Sequence, residues 1–137
     1  MRLNPHLSFD GRCEAAFKFY EKVLGGKISA MVTFGETPMK EQMPAAWHGK
    51  IAHARLIIGD EVLMGGDPPP ERYQAPKGIT VMLNIADPME AERVFTALSE
   101  SGTVTMPIAE TFWARRFGML TDQFGTPWMV NCERPQA

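Results

Sequence analysis

A chain of 137 residues, 45% hydrophobic and 22% charged, is sized for one globular domain that buries roughly two-thirds of its unfolded surface. Its formal charge of −2, with Lys and Arg scattered, supplies no basic field for a phosphate backbone, which excludes nucleic acid as an expected partner. No stretch approaches about 18 uninterrupted apolar residues. Arg2, His6, Asp10, Arg12 and Glu14 break up the first residues, so neither a membrane span nor a secretory leader is expected and the expected location is cytoplasmic.

The first predicted element is a strand over residues 4–9, NPHLSF. A helix follows over about 11–24, where Ala15, Ala16, Phe19, Val23 and Leu24 recur at helical spacing, and Gly25-Gly26 stops it. A strand then runs from Lys27 to about Phe34. After a polar loop carrying Trp47 and His48, KIAHARLII and EVLMG form a hairpin around Gly59-Asp60. The run GGDPPPERYQAPKG holds four prolines and reads as a connector. ITVMLNI is the next strand, Asp87-Pro88 starts a helix that reaches about Ser99, and Gly102 ends it. Three strands complete the chain: TVTMPIAETF, RFGMLTD and TPWMVNC, the last two turning at residues 123–125. Cys13 and Cys132 lack metal-type pairing and read as reduced packing residues.

The pattern repeats itself. Leu7 and Leu83, Glu14 and Glu90, and Gly26 and Gly102 fall at one constant offset of 76, and each half reads as strand, helix and three strands. The expected fold class is therefore α+β, a single domain over residues 1–137 built as two tandem βαβββ modules. Repeat 1 spans about 1–66, the Pro-rich connector 67–77 and repeat 2 about 78–134. One such unit has a single apolar sheet face and one helix, too little to close a core alone.

Three stretches, NPHLSFDGRCEAAFKFYEKVLGG, HARLIIGDEVLMGGDPPPERYQ and GTVTMPIAETFWARRFGMLTDQFGTPWMVNCE, resemble the PhnB-like branch of the vicinal oxygen chelate superfamily. That superfamily holds glyoxalase I, extradiol dioxygenases and bleomycin-resistance proteins, and the branch is often labelled demethylubiquinone methyltransferase-like. The resemblance covers most of the chain. It implies curved mixed sheets around a cavity, a helix on the opposite face of each sheet, and a homodimer. In the metal-using relatives, His and Glu ligands on the first and last strands of each unit point into the cavity. The matching positions here are Asn4, Met64, Thr80 and Met129, none of them a usual ligand for a hard divalent cation.

Strand alternation assigns the faces independently. Leu3, Leu7 and Phe9 with Pro5 form the helix-facing row of the first strand, leaving Asn4, His6 and Ser8 on the other side. Ile79, Val81, Leu83 and Ile85 form the matching row in the second repeat, leaving Thr80, Met82 and Asn84; Met129 and Asn131 share the cavity side of the last strand. Met64, Met82 and Met129 together suggest an apolar pocket, since methionine adapts to irregular apolar space.

Candidates for chemistry are His6, His53 and Glu110. A histidine titrates near neutral pH and serves as acid or base, although no carboxylate is tied to either by spacing, so each also reads as a local packing or surface residue. In ETFWARRFG, the rings of Phe112 and Trp113 beside Arg116 read either as a clamp for a small oxyanion or as a cavity rim with the arginines turned outward. The expected ligand-binding set is Asn4, His6, Ser8, Met64, Thr80, Met82, Phe112, Trp113, Arg116 and Met129.

The leading expectation is a protein that binds a small, partly apolar molecule without the usual metal quartet, with no cofactor; whether it catalyses anything stays open. One alternative is a metal-dependent lyase, isomerase or dioxygenase using a divalent metal on a shifted set such as His6, His53 and Glu110. The other is a non-catalytic, drug-sequestering protein of bleomycin-resistance type. Methyl transfer has no support, because no glycine-rich strand-to-helix turn with a following acid is present.

Overall fold

The computed structural model describes residues 1–135. The chain divides into two compact units, one over Met1–Ala75 and one beginning at Pro76. The first contains β1 (His6–Ser8), α1 (Cys13–Leu24), β2 (Lys27–Thr33), β3 (Ile51–Ile58) and β4 (Glu61–Gly66). The second contains β5 (Val81–Asn84), α2 (Pro88–Leu98), β6 (Thr103–Ala109), β7 (Ala114–Thr121) and β8 (Pro127–Glu133). Strand orders are β1-β4-β3-β2 and β5-β8-β7-β6, with the first pair of each sheet parallel and the others antiparallel. The two tandem βαβββ modules expected from the repeat are therefore present.

Each helix buries one stripe against its sheet. In α1 the buried residues are Cys13, Ala16, Phe17, Tyr20 and Val23, spaced at i, i+3, i+4, i+7 and i+10. This stripe is rotated from the expected one: Ala16 and Val23 belong to it, Ala15 is exposed, and the rings of Phe17 and Tyr20 do most of the filling. Phe9, Phe17 and Tyr20 form a ring cluster, with Phe17 6.1 Å from Phe9 and 5.9 Å from Tyr20. Gly25 ends the helix at φ 76° and donates its N–H to the Glu21 carbonyl, as the sequence predicts. Asp87 caps α2 by accepting from the Met89 N–H at 3.2 Å, and Ala91, Val94, Phe95 and Leu98 form its buried stripe.

Both helices need a glycine beneath an aromatic ring. A Cβ on Gly65 would lie 2.7 Å from the Phe17 ring, and one on Gly118 would lie 2.6 Å from the Phe95 ring. Either side chain would overlap a ring that is already fixed by packing.

Two assignments at strand ends are corrected. Leu3 is 95% exposed and Ile79 is 76% exposed, because β1 begins only at His6 and β5 only at Val81. Strand parity has no meaning outside a ladder, and Pro5 has no N–H to extend one. The segment between β2 and β3 folds into three 3₁₀ turns, at Phe34–Glu36, Pro38–Gln42 and Ala45–Trp47. Trp47 Nε1 donates to the Asp67 carbonyl at 3.2 Å, tying this segment to the end of β4, and Gly35 N–H donates to the His48 carbonyl at 2.9 Å within it.

Candidate functional site

Each sheet has one face under its helix and one open face, and the open faces carry the candidate residues. In the second module β8 alternates cleanly: Trp128, Val130 and Cys132 are buried on the helix side, while Met129 and Asn131 face the other way. Register extends this into rows. Met82 is opposite Met129, Met129 opposite Met119, and Met119 opposite Met106, so four thioethers cross all four strands at one level. Directly opposite residues on one face have Cβ atoms about 4.5–5.5 Å apart, which makes the row a continuous soft surface. Met82 and Met106 are 47% and 41% exposed at its two ends.

The next row holds Asn84, Asn131 and Phe117. Asn131 Nδ2 donates to Asn84 Oδ1 at 2.9 Å. Asn131 itself is 9% exposed, and its Oδ1 has no hydrogen-bond partner among the described residues. A buried acceptor left unpaired costs free energy. From Phe117 the aromatic surface continues through Trp113, 5.5 Å away edge to face, to Phe112, 4.8 Å further and 90% exposed.

Arg116 does not join this surface. It pairs in register with buried Cys132, and its Nε donates to Glu92 of α2 at 2.7 Å, which places it on the helix side. Glu110 is exposed and accepts from Arg134 Nη2 at 3.1 Å. Cys132 Sγ donates to the Ala86 carbonyl at 3.4 Å, and the buried Cys13 thiol is pushed far up by burial, then by Asp67 and Glu14. Neither cysteine is placed as a nucleophile.

In the first module His6 is opposite Met64 and Met64 opposite Arg55, giving one open-face row, with His53 two residues along β3 on the same side. Ser8 is half-buried beside them. His6 has its pKa lowered, first by burial and then by the nearby His53, while a backbone hydrogen bond opposes both. Asn4 lies before the strand, exposed, with Nδ2 donating to the Val62 carbonyl at 3.3 Å. A surface hollow lined by residues 1–4, Asp60 and Glu61 takes in Asn4 and no other candidate.

Two of the four motif-matched positions, Asn4 and Thr80, lie just before their strands begin. His6, not Asn4, is opposite Met64, and Met82, not Thr80, is opposite Met129. With either assignment the donors are thioethers, amides, a hydroxyl and one imidazole, a set that does not fit a hard divalent cation. Among the described residues no three His, Cys, Asp or Glu side chains converge on a common point that would hold a metal. The shifted set His6, His53 and Glu110 is not brought together as such a group.

Two carboxylates that sequence reasoning missed each brace one module from within. Asp67, 1% exposed, accepts from the N–H groups of Gly11 and Cys13 through Oδ1, at 3.0 and 3.1 Å, and from Ile51 through Oδ2 at 2.9 Å. It joins the end of β4 to the starts of α1 and β3. Burial pushes its carboxyl up, while these three hydrogen bonds and Lys50 pull it back. Asp122, 4% exposed, accepts from Phe124 and Thr126 N–H and from Trp128 Nε1 at 2.8 Å, closing the β7–β8 turn. The signal available for Asp67 was an acid placed between a strand and a run of prolines; for Asp122 it was an acid six residues before a tryptophan.

Comparison with known proteins agrees with this fold. Protein YjdN of Escherichia coli is 35% identical over 99% of this chain and 98% of its own length. The crystal structure of protein PA1353 from Pseudomonas aeruginosa superposes with a TM-score of 0.90 at 47% identity, covering 98% of this chain and 99% of that one. A Bacillus cereus PhnB protein, described as a putative 3-demethylubiquinone-9 3-methyltransferase, shares the fold at a TM-score of 0.80 and 19% identity, over 96% of this chain and 99% of that one. No helix among the described residues is long and apolar enough to cross a membrane. The profile of the Glyoxalase/Bleomycin resistance protein/Dioxygenase superfamily matches residues 2–130, and the chain belongs to that superfamily.

Proposed function

We propose that the protein binds a small, partly apolar molecule on the open face of its second sheet, without the hard-metal chemistry of its metal-using relatives. The observation that carries this reading is the row Met82, Met129, Met119 and Met106, which lays polarisable thioethers across the whole sheet, one of them, Met129, at a position matching a ligand of the metal-using relatives. Asn131 Oδ1 adds one acceptor, so the preferred ligand has an apolar body and a single hydroxyl or N–H donor. The aromatic extension through Trp113 supports a flat or ring-containing body.

Binding without bond making is the second element of the proposal, in keeping with the drug-sequestering alternative. The methionine row itself carries no titratable group, and Glu110, near its aromatic end, is engaged by Arg134. We further propose a homodimer: Ile79, Val104 and Phe112 leave apolar surface exposed in the second module, and a second copy would cover it.

Calorimetry with 1-naphthol and with naphthalene tests the reading. The hydroxylated probe is expected to bind more tightly, and Asn131→Leu to abolish that difference. Equal binding of both probes to the unmodified protein would contradict the role of Asn131. Stoichiometric binding of Mn²⁺ or Ni²⁺ would overturn the non-metal reading.

A further inference from the structure

The open face of the first sheet carries a different chemistry from the methionine surface. Its four strands contain one carboxylate, Glu61, placed at the β3–β4 hairpin and opposite Ile58, on the other parity from Arg55 and Met64. Against that stand His6, His53, Arg55 and, at the far end of β2, Lys27. His6 and Arg55 flank Met64 in one row, and His53 projects from the same face of β3.

These side chains have no carboxylate on their face of the sheet to accompany them. Half-buried Arg55 makes no ion pair among the described residues; the five pairs present involve Arg12, Lys18, Arg93, Arg116 and Arg134. Ser8 adds a hydroxyl on the same side. A guanidinium half-removed from water without a counter-charge is unfavourably placed unless an anion supplies one. Burial, and then the nearby His53, disfavours charge on His6, and an anion on this face would offset both.

We propose that His6, His53 and Arg55 form a binding site for a small oxyanion on the open face of the first sheet. Arg55 provides a planar fork that matches two oxygens of a carboxylate, sulfate or phosphate, and each imidazole donates one N–H. The site lies on the other module from the methionine row and takes charge rather than apolar area, so it stands or falls independently of the proposed apolar ligand.

The test is a titration of ¹⁵N-histidine-labelled protein with sulfate in one arm and acetate in the other. His48 serves as an internal reference, because its ring is already tied to the carbonyls of Lys40 and Met43. The His6 and His53 ring resonances are expected to move with saturation in at least one arm while His48 stays still. Saturation by sulfate alone assigns a tetrahedral anion and by acetate alone a carboxylate. Arg55→Gln is expected to weaken binding about tenfold or more, the loss typical of a charge-assisted pair. Arg55→Lys, which keeps charge but loses the fork, is expected to weaken it less. Lys22→Gln, an equal loss of charge on the exposed face of α1, is expected to leave affinity unchanged. Absence of saturable shifts in both arms, or equal weakening by Arg55→Gln and Lys22→Gln, would overturn the proposal.

Discussion

In the first module the ring of Phe17 rests over Gly65 on β4, and in the second the ring of Phe95 rests over Gly118 on β7. The strand order is the same in both, yet the helix ring lands on different strands and each module is closed by its own buried aspartate. Their open faces diverge further: imidazoles and a guanidinium on one, four thioethers and an orphaned amide oxygen on the other. Topology in a duplicated fold is fixed by the helix-side rows, which must be apolar in both copies. The open faces are under no such demand and are free to specialise.

The largest effects should come from the aspartates. Asp67→Ala leaves two buried N–H groups and one part-buried N–H group without an acceptor and is expected to cost about 3 kcal/mol or more in urea unfolding. In hydrogen exchange it should release the Gly11, Cys13 and Ile51 amides. Asp122→Ala should instead release Phe124 and Thr126. If either variant released both sets equally, the modules would not be separately stapled.

Next in size are the glycines. Gly65→Ala and Gly118→Ala force a Cβ into an occupied ring and should each cost about 1–3 kcal/mol. Pairing them with Phe17→Leu and Phe95→Leu respectively should recover part of the loss, because the overlap is with those rings. Thermal denaturation of the two glycine variants, the two phenylalanine variants and the two double variants measures this. A fully additive loss would mean that backbone contact, to the Leu7 carbonyl or to Ile108, decides the outcome instead.

Asn131→Leu is expected to change stability by about 1 kcal/mol or less, since it removes an unpaired buried acceptor and leaves only exposed Asn84 to be solvated. A much larger loss in chemical denaturation would mean that the amide is structural rather than kept for a ligand. The smallest effect concerns His6. Its folded pKa lies below the ordinary value of 6.5, so the folded chain takes up protons less readily than the unfolded one. The stability it contributes is complete above that value and is lost as pH falls from there through the lowered folded pKa. His6→Gln should flatten this part of the pH–stability curve; an unchanged slope would remove His6 as its source.

Much of this comparison was legible in the sequence where a strict period met a clear stop. The αL turn at Gly25, the cap at Asp87 and the parity of Met129 against Cys132 all followed from local rules. Leu3 and Ile79 were misassigned because alternation was extended past the points where the ladders begin. The α1 stripe was rotated because periodicity alone does not say which of several apolar residues finds a glycine opposite it, and Phe17 does. Arg116 was placed with the open face from its aromatic neighbours, but alternation with Gly118 and Leu120 puts it on the helix side, where it meets Glu92. The methionine row was partly visible as Met82 and Met129; adding Met119 and Met106 required cross-strand register, which no single stretch encodes.

The most direct test of the division between the two faces is a methyl NMR titration of protein labelled at its ten methionines with 1-naphthol. The account predicts saturable shifts at Met82, Met106, Met119 and Met129, with the methyls of Met1, Met39 and Met89 unmoved. Shifts spread evenly over all ten, or confined to Met64 on the first sheet, would contradict it.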